Sequence, residues 1–147
     1  MSIVTITNKN YESADFTKDD IATFLFHALE QYGDKKPDIL KCLDYALSAE
    51  PGKGGLVTLA EENGKIVGAV VINHTGMGGY IPENILVYIA VDPSQRGKGV
   101  GKLLMEEAIG KSSGDIALHV EPENPAKRLY ERLGFTNKYL EMRLHKA

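Results

Sequence analysis

Hydrophobic positions along the chain repeat with two periods, and the places where the period changes mark the elements. Ser2 to Thr7 alternates apolar with polar residues and predicts a strand. From Ile21 the spacing turns helical: Ile21, Phe24, Leu25, Ala28, Leu29 and Tyr32 share one face. Thr17 and Asp20 stand ahead of them as a capping box, and Gly33 closes the run. A second helix is predicted from about Pro37 to Ser48. Pro51-Gly52-Lys53-Gly54-Gly55 is a turn-rich break too short to separate domains. Leu56 to Glu61 and Lys65 to Asn73 predict a hairpin, because Asn63-Gly64 favours a tight turn. Ile85 to Val91 is an unbroken apolar and aromatic run rich in β-branched residues and stopped by Asp92-Pro93, the mark of a buried strand. Val100, Leu103, Leu104 and Ala108 then share a helical face, and Ile116 to Glu121 alternates as a strand. A short helix follows, with Asn124 as N-cap and Pro125 at the first helical position. Gly134 suits the left-handed position past its end, with Phe135 set for the accompanying apolar contact.

Composition narrows the class. A chain of 147 residues suits one domain, 1–147, with one substantial core. Seventeen basic against twenty acidic residues leave a net charge of −3, so no affinity for nucleic acid is expected. The lone cysteine, Cys42, excludes an internal disulfide, fits a reducing compartment and sits among Ile39, Leu40, Leu43 and Leu47 as a packing residue. Four histidines are scattered singly, which predicts no metal site. No basic-plus-apolar leader and no run of membrane-spanning length is present, so the expectation is a cytoplasmic protein with no membrane partner.

The chemistry concentrates between the buried strand and the helix after it. Arg96-Gly97-Lys98-Gly99-Val100-Gly101-Lys102 joins them. Its glycines let the backbone turn sharply and approach a ligand closely. The free amides of the helix's first turn, the helix dipole and the charges of Arg96, Lys98 and Lys102 all favour an anion there. The stretch predicts a phosphate cradle. A Walker A loop needs four residues between its first glycine and a Gly-Lys-Ser/Thr; Gly97 and Gly101 enclose three, and Leu103 follows Lys102. A nucleotide-dependent kinase is thereby disfavoured. A dinucleotide fingerprint fails as well, since Leu104 stands where its third glycine is required.

What remains, R-x-x-G-x-G at Arg96–Gly101, resembles the acyl-CoA pyrophosphate loop of the GNAT superfamily of N-acetyltransferases. A second block, N-P-A-x-x-L-Y-x-x-L-G-F at Asn124–Phe135, is similar to another motif of the same superfamily, and Met142-Arg143-Leu144 resembles its closing strand. The resemblance covers about residues 55 to 144. It implies an α/β fold: a central mixed sheet of six or seven strands with helices on both faces, in which the loop-bearing strand and the next parallel strand splay apart. It further implies acetyl-CoA as co-substrate, with no metal. The backbone of Ile89, Ala90 and Val91 would meet the pantetheine arm, and amides from Arg96 through Gly97, Lys98, Gly99 and Val100 to Gly101, with Lys102, would hold the pyrophosphate. Asn124 would contact the arm, Lys127 the phosphates, and Tyr130 would donate to the leaving sulfur. Two residues offer themselves as the base: His119, out of phase with Ile116, Leu118 and Val120, and Glu83, acting through water. His119 stands where ribosomal-protein acetyltransferases carry the glutamate of L-E-V, a departure that weakens that option. Tyr88 would either line the site from the central strand or pack in the core. The acceptor, a small-molecule or peptide amine, would enter near Tyr32–Pro37, the glycine-rich His74–Asn84 loop and Asn137–Tyr139. A non-catalytic acyl-CoA-binding module is the alternative, and homodimers through the last strands occur in the family.

Overall fold

The computed structural model describes residues 1–147. Five strands form one sheet: β1 (Ser2–Ile6), β2 (Gly55–Glu62), β3 (Lys65–His74), β4 (Asn84–Val91) and β5 (Ile116–Leu118), in the spatial order β1-β2-β3-β4-β5. The first three pairings are antiparallel and β4 with β5 is parallel, so the sheet is mixed. Helices α1 (Lys18–Leu29) and α2 (Lys36–Ala46) cover one face, and α3 (Val100–Lys111) and α4 (Ala126–Arg132) the other.

Coverage on both faces explains the unbroken apolar runs of the central strands. In β3, Ala69 and Val71 pack under α1 and α2 against Ile21, Leu25, Ile39 and Leu43. Their neighbours Val70 and Ile72 pack on the other side against Val100, Leu104 and Met105. Gly68 permits this second layer: a Cβ there would stand 2.7 Å from Leu104 Cδ1. Local signals held where their partners were local. Thr17 accepts from the Asp20 amide while the Asp20 carboxylate accepts from the Thr17 amide, closing the capping box at the start of α1. Asn63 and Gly64 both take positive φ, 54° and 77°, as a two-residue hairpin turn requires.

The sheet has five strands rather than six or seven. β5 stops at Leu118 instead of Glu121, and no strand forms at Met142–Leu144. Both differences have one cause. The β4–β5 ladder ends at Leu86 opposite Leu118, so Val120 and Glu121 have no strand beside them. The tail carries an alternating Leu140, Met142, Leu144 pattern, but these side chains are 84%, 88% and 86% exposed and meet no sheet edge. A strand without a ladder partner does not hold its conformation. Helix α1 likewise ends at Leu29 rather than Tyr32; Glu30 takes φ 54°, and a single 3-10 turn, Glu30–Tyr32, leads to Gly33.

Candidate functional site

A bulge shapes the middle of β4. Val71 of β3 faces Tyr88 while Ile72 faces Leu86, leaving Val87 without a partner. On its other side β4 loses β5 at Leu86, yet continues to Val91. The Asp92 amide donates back to Val67 of β3, so the amides of Ile89 and Val91, out of phase with it, face the widening gap. Ala90 points its backbone the other way, towards β3, and its side chain lies in the core under α1 and α2. Beyond Leu86, β4 therefore has no ladder partner on that side, and Ile89 and Val91 lie along this unpaired edge.

Beyond β4 the chain makes a tight 3-10 turn, Pro93–Gln95. The Asp92 carboxylate accepts from the Ser94 hydroxyl at 2.7 Å and from its amide at 3.0 Å, which holds the Asp92 carboxyl below its ordinary range. Gly97 and Gly99 then adopt φ of 78° and 83°, conformations costly for any residue with a side chain. From Gly97 to Lys102 the successive amides donate to no protein acceptor; the first helical bond runs from the Leu103 amide to Gly99. A run of free N–H groups at the start of a twelve-residue helix is a ready anion cradle. Lys98 and Lys102 are exposed beside it.

Arg96 does something else. Its guanidinium donates to Val91 O (3.0 Å) and to Ala28 O (2.9 Å), and pairs with Glu30 Oε1 at 3.3 Å. Ala28 lies in the last turn of α1, whose carbonyls have no helical partner and whose dipole favours a cation. The Arg96 amide is also engaged, donating to Pro93 O at 3.4 Å. The side chain thus ties the loop to α1, a role invisible in the motif.

Helix α4 brings the second block to the same end of β4. A Cβ on Gly101 would lie 3.3 Å from Leu129 Cδ2, so the start of α3 and α4 are in close contact. Asn124 Oδ1 accepts from the Ala126 amide at 2.9 Å just ahead of α4, whose N-cap falls on Pro125, one residue later than the sequence predicts. At the other end Gly134 takes φ 100°, the Phe135 amide reaches Tyr130 O and the Gly134 amide reaches Glu131 O. The Tyr130 and Phe135 rings lie 5.8 Å apart, completing the C-terminal motif. Tyr130 is 6% exposed and its hydroxyl has no protein partner; burial pushes the phenol up to about 12. Lys127 is partly exposed and pairs loosely with Glu131 at 3.7 Å.

The two candidate bases stand apart. His119 is the first residue after the paired part of β5, exposed at the mouth of the gap. Glu83 precedes β4 at the end opposite the glycine loop, roughly 25 Å along the strand. There Glu83 Oε1 accepts from the Asp115 amide at 3.1 Å, and its side chain covers Gly114, where any Cβ would clash with it.

A further group lies under α1 and α2. Tyr88, buried on β4, donates its hydroxyl to Asp34 Oδ2 at 2.5 Å, across 54 residues of chain. Burial and then this bond raise its phenol far above the ordinary range. Beside it Asn73 Nδ2 donates to Cys42 Sγ at 3.5 Å, and Asn73 Oδ1 is buried with no partner. The Cys42 thiol is pushed up to about 11 by burial, which suits packing rather than nucleophilic work. Asp34 lies within the Tyr32–Pro37 stretch expected near the acceptor, and nothing local in the sequence marks it as a charged partner of Tyr88. No group of three or more His, Cys, Asp or Glu side chains is placed to hold a metal, and no helix is long and apolar enough to cross a membrane.

Comparison with known proteins agrees with this geometry. The acetyltransferase (GNAT) domain family matches residues 53–137. A 5-NmdU N-acetyltransferase from Pseudomonas phage PaMx11 is 33% identical over 84 residues, covering 56% of this chain and 58% of that protein. The likeness thus spans little more than half of the relative. Among solved structures, a ribosomal-protein-alanine N-acetyltransferase from Brucella melitensis biovar Abortus 2308 superposes with TM-score 0.63 at 17% identity, covering 99% of this chain and 100% of that one. The aminoglycoside N-acetyltransferase AAC(6')-Iy in complex with CoA gives 0.68 at 19% identity, covering 99% and 93%. At these identities the structural likeness concerns the fold.

Proposed function

Because the chain belongs to the acetyltransferase (GNAT) domain family, we propose that it transfers an acetyl group from acetyl-CoA to a primary amine of a small molecule or peptide by direct attack on the thioester. The observation that carries this reading is the run of unpartnered amides from Gly97 to Lys102, set at the end of a strand whose neighbour has just diverged. The amides and the α3 dipole suit a pyrophosphate, with Lys98 and Lys102 adding charge. Ile89 and Val91 offer backbone groups along the gap to an amide-bearing arm. Asn124 and Lys127, at the start of α4, would contact the arm and the phosphates. When bound, acetyl-CoA supplies an activated acyl carbon with a thiolate leaving group.

Tyr130 is the residue suited to meet that leaving group. Its hydroxyl is unengaged, and a phenol pushed up to about 12 stays protonated throughout the physiological range. Such a group stabilises developing thiolate by hydrogen bonding, while the attacking amine gives up its own proton as the C–N bond forms. For the base, His119 at the mouth of the gap is better placed than Glu83, whose carboxylate is occupied at the start of β5. A pure binding module has no use for an unengaged phenol at this point. A relative named for N-acetylation supports an amine acceptor, and the cytoplasm is the compartment that suits the unpaired Cys42.

The test is acetyl transfer from acetyl-CoA to a panel of amino acids, polyamines, aminoglycosides and peptides, read by mass spectrometry, with acetyl-CoA binding measured in parallel. An acetylated product whose formation slows in Tyr130→Phe without loss of acetyl-CoA binding supports the reading. Binding with no product across the panel would favour the non-catalytic module; no binding would reject both.

A further inference from the structure

Six carboxylates lie between the start of α1 and the end of α2, and five of them have an internal role. Asp19 pairs with Lys36 at 2.9 Å, Glu30 with Arg96, Asp38 with Lys41 at 3.9 Å and Asp44 with Lys18 at 3.2 Å, while Asp20 closes the capping box. Asp34 alone has no cation and caps no helix. Its one side-chain contact is the Tyr88 hydroxyl, which binds Oδ2 and leaves Oδ1 free on an exposed residue. Tyr88 is fixed in turn by burial beside the β4 bulge, where Val87 leaves the ladder and the gap to β5 begins. The free carboxylate oxygen of Asp34 and the remaining lone pair of the Tyr88 phenol, already committed as donor, are both acceptors. The set matches a group that only donates, and the charge of Asp34 makes that group a cation.

We propose that Asp34, positioned by Tyr88, recognises a cationic group on the acceptor, and that the acceptor is a di- or polycationic amine. This rests on the acetyl-transfer reading and narrows it. The nitrogen that attacks a thioester must be neutral, so it is not the group that a carboxylate holds as an ammonium. A second cationic nitrogen on the same molecule satisfies both demands: one ammonium stays on Asp34 while the other, deprotonated amine reacts. An acceptor carrying its own carboxylate is repelled by Asp34.

Matched probes test this directly: 1,4-diaminobutane, butylamine and 4-aminobutanoate, with acetyl-CoA saturating, for the wild type, Asp34→Asn and Tyr88→Phe. The wild type should use the diamine with kcat/KM about fivefold above butylamine, and 4-aminobutanoate worst of the three. Asp34→Asn should bring diamine and monoamine to within about twofold, through the diamine KM, with the KM for acetyl-CoA unmoved. Tyr88→Phe, which keeps the carboxylate but frees it, should give an intermediate ratio. Equal use of diamine and monoamine by the wild type, or an unchanged ratio in Asp34→Asn, overturns the proposal and leaves acetyl transfer standing. Failure of all three probes while acetyl-CoA binds also overturns it. Failure to bind acetyl-CoA instead refutes the reading on which it rests.

Discussion

Arg96 offers the sharpest test of how this loop is built, because its place in an R-x-x-G-x-G motif and its observed contacts predict different things. As a phosphate ligand it would contribute charge, and Arg96→Lys would largely keep acetyl-CoA affinity. In the structure its side chain is spent on Val91 O, Ala28 O and Glu30. The two carbonyl bonds come from a guanidinium about half exposed, which discounts their charge assistance to about 1 kcal/mol each net. The Glu30 pair, with both side chains about half exposed (47% and 50%), adds little. Removing the fork should therefore cost about 2 kcal/mol, which for a chain of this size lowers Tm by about 4–8 °C. Lysine reaches one carbonyl but not both with a single ammonium, so Arg96→Lys should recover less than half of the loss. The assay is thermal unfolding without ligand, alongside calorimetric CoA affinity, for wild type, Arg96→Lys and Arg96→Ala. If both variants melt within 1 °C of the wild type in the absence of CoA, while Arg96→Ala alone loses affinity by roughly tenfold or more, the anchor is refuted and the charge reading stands.

Gly99→Ala should weaken acetyl-CoA binding, since φ 83° costs a side-chain-bearing residue about 1–2 kcal/mol and relaxation would turn the α3 amides away; titration calorimetry reads it. Tyr130→Phe should lower kcat by about tenfold to a hundredfold with the KM for acetyl-CoA unchanged, checked by steady-state kinetics. The same phenol gives a pH signature. Its folded-state value, raised by burial from 10 to about 12, means that the unfolded chain loses this proton first. Stability it contributes is full below pH 10 and lost as pH rises to about 12, and denaturant titrations should show Tyr130→Phe flatter over that window, with the Tyr88 share of the slope remaining. His119→Gln should lower kcat/KM, whereas Glu83→Gln should alter melting more than turnover; the reverse pattern would move the base to Glu83.

How far the sequence could be read depended on how far apart the partners are. The capping box at Thr17, the Asn63-Gly64 turn and the α4 termini all pair residues within five positions of each other, so their letters contain the interaction. The glycine loop was legible for the same reason: its amides are free because of the backbone it imposes. Asp34 with Tyr88 and Arg96 with Ala28 join residues 54 and 68 positions apart, and no local pattern encodes them. The β4 bulge had no marker either, since Val87 is an ordinary strand residue. The tail misled in the opposite direction. Leu140, Met142 and Leu144 have strand periodicity, but periodicity states which face would be buried and not whether a neighbouring strand is present to bury it.

These long-range contacts give the two halves of the site a common support. Arg96 leaves the cradle and holds the last turn of α1; four residues after Glu30, the same connection places Asp34 against Tyr88. The α1–α2 link is therefore fastened to β4 at two points, one just past the strand's end and one beside its bulge. Asp34, which would hold the acceptor's charge, is part of that link, and the loop that would hold the pyrophosphate is tied to it through Arg96. An Arg96→Ala variant should consequently raise the KM of a cationic acceptor as well as that of acetyl-CoA, although Arg96 stands on neither side of the reacting bond. A rise in the acetyl-CoA KM alone would mean that the α1–α2 link keeps its place without the arginine, and that the loop and the acceptor wall are held independently.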